Sequence, residues 1–316
     1  MPSQPQVFGG PPVQYIGPDP SEIWVGPLPT DPLELCLEYK LGFDDVSDLA
    51  AQTCLISYQE GRELTNDDAK VLAQAMIDQG PCDIEYLFFQ NNKIGDEGLE
   101  AIAHAMAEGA LPRLLTVDFT NNGASDVGFT HLVNAVKHCP QFRDIIFKQN
   151  GLTDVSMTAL HEVLKRGEWP GIERLNLAGD QFDRHSISDA SFVPFANDLA
   201  DGVLKMIRLE ELEMSDNDLT DAGFAAFCVA IQRGNLRKMT ALYLQANLIT
   251  DEGAAALAAA LTNNKRSKLY DIRLGYQSSH DAMAPRVSKE VGKPAIEAAG
   301  ASIGRKVFCV LHPLDV

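Results

Sequence analysis

The sequence has few basic residues and no long apolar run. Its 26 lysines and arginines face 44 acidic residues across 316 positions, which gives a formal net charge of −18. Because such a surface repels phosphate groups and anionic lipids, nucleic acids and membrane surfaces are excluded as partners, and we expect protein partners. No stretch reaches the roughly 18 to 20 uninterrupted apolar residues that span a bilayer, which predicts a soluble chain without membrane insertion.

Paired cysteines, targeting segments and catalytic motifs are also lacking. The six cysteines form no C-x-x-C pair, which predicts reduced, buried thiols rather than disulfides or a zinc site. The N-terminus has neither a signal sequence nor a transit peptide, so we expect a cytoplasmic protein. No phosphate-binding loop, nucleophile elbow or H-E-x-x-H motif occurs, and the histidines are expected on solvated helix surfaces. The sequence therefore predicts no catalytic residue, no metal ligand and no cofactor.

One string of residue types recurs along the chain. It runs apolar-x-x-apolar-x-apolar-x-x-Asn-x-apolar, followed by Asp, a small residue and an apolar helical pattern. The start-to-start spacings are 30, 28, 30, 37, 30 and 30 residues. A register kept over so many copies predicts a stack of similar units. The copies begin at Ile84, Leu114, Phe142, Ile172, Leu209, Met239 and Leu269.

Each copy predicts one short strand and one helix. The apolar-x-apolar core has the period of a strand with one buried face. In the first strong copy, Asp96 is predicted to be the helix N-cap. The residues after it recur at i, i+3, i+4 and i+7, as on the buried face of a helix; they are Leu99, Ile102, Ala103 and Met106.

These residues resemble leucine-rich repeats, specifically the ribonuclease-inhibitor-like subfamily with long strand-plus-helix repeats, over roughly residues 54–275. The resemblance implies an α/β fold, a curved solenoid or horseshoe with a parallel sheet on its concave side and helices on its convex side. It also implies that a ladder of asparagines satisfies buried backbone amides. The ladder residues are Asn92, Asn122, Asn150, Asn217 and Asn247, and Asp180 departs from the pattern.

The ends of the chain differ from the repeats. Residues 1–48 are predicted to form a proline-rich arm, which holds more than half of the 17 prolines and eight acidic residues against Lys40 alone. A 30-residue spacing places the strand residues of a degraded first repeat at Ser57 and Gln59. The predicted division is a solenoid over 49–311, with an N-terminal cap repeat at 49–80, main repeats at 84–275 and a C-terminal cap at 276–311, and then a tail at 312–316.

The 37-residue spacing indicates an insertion of about seven residues. We expect it to lengthen a convex helix and the loop before it, with Pro194 in the first turn. One helical face would then carry Phe192, Phe195, Ala196, Leu199 and Val203.

The outward residues of the predicted strands form the candidate partner-binding surface. Apolar side chains there indicate binding anchors, unless the arm or a C-terminal segment covers them. Tyr15 and Trp24 are the candidate docking residues of the arm. The strand candidates are Tyr86, Phe88, Asp118, Ile146, Asn176, Glu213, Tyr243 and Arg273, flanked by Thr116, Asp144, Arg174, Glu211, Ala241 and Asp271.

Three functions follow from this interpretation. The first is a non-enzymatic scaffold for protein–protein interaction. The second is a structural subunit of a large assembly, for example a ciliary or cytoskeletal one. The third rests on similarity to Ran GTPase-activating proteins, which implies a catalytic role for Arg62 and a positioning role for Asn91.

Overall fold

The protein was analysed as a computed structural model, which describes residues 31–41, 49, 51–56, 63–180, 186–206, 208–275, 287–304 and 306–311. The described residues form one open parallel sheet of nine strands in chain order. Each strand has three residues and pairs in register with the next. The strands are Cys54–Ile56 (β1), Tyr86–Phe88 (β2), Thr116–Asp118 (β3), Asp144–Ile146 (β4), Arg174–Asn176 (β5), Glu211–Glu213 (β6), Ala241–Tyr243 (β7), Asp271–Arg273 (β8) and Phe308–Val310 (β9).

A helix follows almost every strand, and this alternation confirms the predicted α/β solenoid. Most of the helices begin after a threonine or serine whose hydroxyl accepts a hydrogen bond from an open N–H group of the first turn, as Thr153 does from Val155 at 3.2 Å. The helices are Pro32–Glu34 (α1), Asn66–Gln79 (α2), Asp96–Ala107 (α3), Asp126–Ala135 (α4), Asp154–Lys165 (α5), Asp189–Ala200 (α6), Asp221–Arg233 (α7), Asp251–Asn263 (α8) and Gly292–Ser302 (α9).

One continuous core lies between the sheet and the helices. The middle residue of each strand points into it, as Leu87 and Val117 do, and both side chains are fully buried. The residue after the strand also points inward, so that Phe89 and Phe119 meet edge to face with ring centroids 5.9 Å apart. No repeat could bury these side chains alone, so each depends on its neighbours.

The asparagine ladder is confirmed. Asn122 donates to the carbonyl oxygens of Phe89 and Phe119 at 2.7 and 3.0 Å and accepts from the N–H of Ile94 at 3.1 Å. Asn217 and Asn247 make equivalent contacts in later repeats. Each carboxamide therefore satisfies buried backbone groups of its own repeat and of the preceding one.

A second ladder, of carboxylates, joins the helix starts. Asp126 accepts hydrogen bonds from the N–H and hydroxyl of Thr153 at 2.8 and 2.7 Å. The prediction that Asp96 caps its own helix is wrong, because Gly95 is the N-cap and Asp96 binds Ser125 of the next repeat. Because Asp96 is the first residue of the helix, its carboxylate reaches the neighbouring repeat rather than the open N–H groups of its own first turn. The same contacts are made by Asp154, Asp189, Asp221 and Asp251.

The N-terminal end of the solenoid is covered by residues 31–41. Helix α1 continues as a π-helical turn over Leu35–Lys40, and Cys36 and Leu41 are part of the core. The Lys40 ammonium donates to the carboxylate of Asp68 on α2 at 2.5 Å. The end of the predicted arm is thus helical and packs on its own solenoid. Tyr15 and Trp24 lie outside the described residues, so their docking role stays a prediction.

The first repeat is spaced differently from the prediction. Its inward strand residue is Leu55, which pairs with Leu87, so the spacing is 32 residues. Ser57 and Gln59, which the 30-residue spacing selects, lie outside the described residues. Strand β9, within the predicted C-terminal cap, pairs with β8 and ends the sheet. In the C-terminal cap, residues 276–286 also lie outside the described chain, as does the 312–316 tail.

The insertion lengthens the loop before α6 and not the helix. Helix α6 has 12 residues, as α3 and α5 have. Phe192, Phe195, Ala196 and Leu199 are buried as predicted, but Val203 lies beyond the helix end and is 45% exposed. Pro194 is the sixth helical residue and not in the first turn. The extra residues follow Asp180, where the asparagine ladder lacks its asparagine.

Two smaller predictions can be compared with the structure. Five of the six cysteines are buried as predicted, Cys54 is half-buried, and all six are free; their reduced state stays a prediction. The histidine prediction is wrong for His161, which is buried and lies 2.9 Å from the carboxylate of Asp198 on α6.

No helix among the described residues has both the length and the apolar character needed to cross a membrane.

Candidate functional site on the strand face

The first and third residues of each strand project from the sheet face opposite the helices, which we call the concave face. Register pairing aligns these residues in two rows that cross the sheet. The first-residue row runs from Tyr86 through Asp144, Arg174 and Glu211 to Asp271. Since neighbouring strands lie about 4.8 Å apart, side chains of adjacent strands in one row are in contact range.

The aromatic residues at the N-terminal end are not free anchors. The Tyr86 and Phe88 rings stack with centroids 5.7 Å apart, and Phe88 is only 3% exposed. The expectation of a solvent-exposed Phe88 is therefore wrong, although Phe88 lies outside the main core cluster. Tyr86 and Ile146 are half-buried, and they remain the apolar contacts that a partner could reach.

Tyr243 is also more enclosed than predicted. It is 8% exposed, its hydroxyl donates to Asp271 at 2.8 Å, and the Arg273 guanidinium lies 4.4 Å from its ring centroid. Burial and the neighbouring Asp271 carboxylate raise the pKa of Tyr243 above its ordinary value. Exposed Arg273, which pairs with Asp271 at 3.2 Å, is the accessible member of this group. The predicted solvent exposure of Tyr243 is wrong because its polar neighbours enclose the ring.

The centre of the concave face is acidic. Burial raises the pKa of Asp118 despite hydrogen bonding from Thr120. Asp144 accepts from the Thr116 hydroxyl at 2.8 Å and from the Arg174 guanidinium at 2.5 Å through Oδ2. Its Oδ1 is buried and has no hydrogen-bond donor within the described part of the chain.

Strand β6 adds two carboxylates, Glu211 and Glu213, on the same face. Burial, together with the charge of Glu213, raises the pKa of Glu211 to about 7. Glu213 accepts from the backbone N–H of Ser215 at 3.0 Å, yet burial still raises its pKa. Neither carboxylate forms an ion pair within the described residues. The strand therefore holds negative charge without a direct counterion.

The concave face carries a mixture of charged, polar and apolar side chains. It presents carboxylates, two guanidinium groups, half-buried apolar side chains and the amide of Asn176, whose Oδ1 accepts from Ala178. The described residues contain no cluster of three or more His, Cys, Asp or Glu side chains placed to hold a metal ion. Asn91 lies in an exposed turn with φ of 59°, and Arg62 lies outside the described residues, so the GTPase-activating interpretation stays a prediction.

The sequence placed every one of these side chains on the correct face. Its alternation signal could not show that Asp144 would be buried with an unpartnered oxygen, or that Glu211 would have no counterion. Both depend on which neighbour each guanidinium reaches, as Arg174 reaches Asp144. Asp144, Arg174 and Glu211 stand in the flanking row and not among the strand candidates themselves.

Comparison with known proteins identifies the repeats. The family described as "Leucine Rich repeat" matches residues 82–103, 208–228 and 235–258. These stretches are leucine-rich repeats. A relative, "Toll-like receptor 2 type-2" of Gallus gallus, is 29% identical over 164 residues, which cover 50% of this chain and 19% of that protein. The matched stretch thus spans about a fifth of the relative's length.

Among solved structures, "Leiomodin-1 Actin-Binding Site 2 (ABS2)" is similar to part of the chain. The sequence identity is 17%, the TM-score is 0.36, and the match covers 48% of this chain and 76% of the other. Leucine-rich repeats act generally in protein–protein interaction.

Proposed function

We propose that this protein is a non-enzymatic scaffold that binds a partner protein across the concave face of its leucine-rich repeats. The observation that carries the proposal is the pair of aligned rows of polar and apolar side chains on nine strands. At about 4.8 Å a strand the rows extend roughly 38 Å, which accommodates a standard interface of about 800 Å² per partner.

The repeat subtype and the compartment belong to the same proposal. A full helix of 10 to 14 residues follows each of β1–β7, which supports the ribonuclease-inhibitor-like subfamily. Six free cysteines support a reducing, cytoplasmic location. Membership of a larger assembly stays a prediction beside the scaffold role.

The test is loss of partner capture by a steric block on the concave face. Ile146→Trp places a large, uncharged side chain at the centre of the sheet, where aromatic residues suit a strand. Val155→Trp is the matched control, because it replaces another β-branched residue with the same side chain at an exposed position on α5.

Capture is measured by affinity purification and quantitative mass spectrometry with wild type and both variants. We expect proteins retained by wild type and Val155→Trp to be lost from Ile146→Trp, with unchanged thermal midpoints. Equal capture by all three proteins would show that the concave face is not the binding surface.

A further inference from the structure

The charge on β3–β6 of the concave face is unbalanced. The eight outward positions of these strands hold four acidic residues and a single base, Arg174. Arg174 donates to Asp144, and the nearby Arg273 belongs to the Asp271 and Tyr243 group. The acidic residues in excess are Asp118, Asp144, Glu211 and Glu213.

A second, independent observation lies within this patch. The Asp144 side chain is 3% exposed, and its Oδ1 accepts no hydrogen bond from any described residue. A buried acceptor without a donor is energetically unfavourable. Asp144 and Glu211 flank Arg174 in one row, so a further cation bound at Glu211 would lie near both carboxylates.

We propose that this acidic patch, centred on Glu211, binds the guanidinium group of an arginine in a basic segment of the partner protein. The inference rests on the proposed scaffold function and specifies the chemistry of its partner. Arginine fits better than lysine because its planar fork gives several N–H donors to neighbouring carboxylates. A chain with a net charge of −18 also attracts such a segment over a distance.

The interaction has a pH signature of defined sign. The charged groups that shift the pKa of Glu211 are Glu213 on the same strand, Arg174 on β5, Asp144 on β4 and Arg273 on β8. The charge of Glu211 in turn raises the pKa of Tyr243 on β7. An incoming cation favours the ionised carboxylate, so binding releases a proton. Affinity therefore rises with pH between about 5.5 and 8.

The probe is a synthetic, capped Gly-Ser peptide with four arginines. The control peptide carries uncharged citrulline in place of each arginine. We expect the arginine peptide to bind wild type about tenfold more tightly at pH 8 than at pH 5.5, and the citrulline peptide not to bind. Glu211→Gln is expected to weaken binding at pH 8 by about tenfold and to remove the pH response.

Glu210→Gln is the matched control. It removes the same charge one residue earlier, from a half-exposed side chain that lies near Lys238. Equal losses in Glu210→Gln and Glu211→Gln, binding of the citrulline peptide, or no binding of the arginine peptide would each overturn the inference. If Ile146→Trp abolishes partner capture while Glu211→Gln leaves both capture and the pH response unchanged, the scaffold function stands and the arginine site fails.

Discussion

Single buried carboxamides connect neighbouring repeats. Asn150 accepts from the N–H groups of Asn122 and Ala124, each at 3.1 Å, and donates to the carbonyl of Phe119 at 2.9 Å. Removing the side chain would leave several buried backbone groups unpaired on both sides of a repeat boundary. The contribution of this residue is therefore that of a small network rather than of one hydrogen bond.

We predict that Asn150→Ala lowers the free energy of unfolding by about 3 kcal/mol, because unpaired buried groups are unfavourable by about 1–3 kcal/mol each. Asn197→Ala, on the exposed side of α6, serves as the control and should change stability by less than about 0.5 kcal/mol. Urea denaturation at neutral pH measures both. A small effect for Asn150→Ala would mean that water replaces the lost bonds.

Glu211 predicts a pH-dependent stability that needs no ligand. Its folded-state pKa of about 7 lies above the ordinary 4.5, so the folded protein binds a proton more tightly than the unfolded chain. The stabilisation is complete below pH 4.5 and is lost as pH rises through 7. Glu211→Gln should therefore match wild type at pH 4.5 and exceed its stability at pH 8 by about 2 kcal/mol.

The measurement is the difference in unfolding free energy between the two proteins at several pH values. Glu210→Gln provides the reference for removal of one nearby charge. A constant difference across this range would show that the Glu211 carboxyl titrates normally.

The sequence predicted the asparagine ladder and the outward direction of every candidate side chain. The ladder follows from the resemblance to leucine-rich repeats, and the outward direction follows from the period of a strand. It did not predict that Phe88 and Tyr243 would be enclosed, since alternation assigns a face and says nothing of what packs over that face. Cation–ring and hydroxyl–carboxylate contacts such as those of Tyr243 join different repeats and leave no local pattern.

Turns of successive elements approach closely at one glycine in the loop after β5. A Cβ atom on Gly179 would lie 1.9 Å from the carbonyl oxygen of Asp216. The N–H of Gly179 donates to the carbonyl oxygen of Ser215 at 2.9 Å. Neither backbone can move independently, because each is part of a hydrogen-bonded turn. The contact fixes the distance between the fifth and sixth turns.

We predict that Gly179→Ala lowers the unfolding free energy by more than about 2 kcal/mol, through this backbone clash. Gly95→Ala is the matched substitution, since a Cβ atom there meets its nearest neighbour at 3.6 Å, and it should change stability by less than about 1 kcal/mol. Differential scanning calorimetry compares the two. Equal thermal midpoints would show that the turns can separate without penalty.

Helices and strands were largely predictable because the same string recurs, and the exceptions have local causes. Asp96 was misplaced because an aspartate before a helix looks like a cap in one repeat considered alone. The apolar pattern continues past the end of α6 to Val203, so the sequence predicts a longer helix than the structure has. For Asp96 the deciding contact comes from the neighbouring repeat, because its carboxylate binds Ser125.

The molecule as a whole keeps its thiols enclosed. Burial raises the pKa of Cys36, Cys54 and Cys139 to about 12, so little reactive thiolate exists near neutral pH. We predict that a thiol reagent at pH 8 modifies the native protein slowly and modifies six cysteines rapidly in denaturant. The reaction is followed by the absorbance of the released product. Rapid modification of the native protein would contradict continuous packing along the solenoid.

The two ladders reach in opposite directions, since carboxamides bind the preceding repeat and helix-start carboxylates bind the following one. A segment of one full period carries both groups, so duplication or deletion of that period would rejoin matching surfaces. An insertion or deletion of only part of a period would displace the carboxamide contacts and the carboxylate contacts together. Genetic variation in length should therefore occur in whole periods, or in loops such as the one before α6, where the asparagine is already replaced.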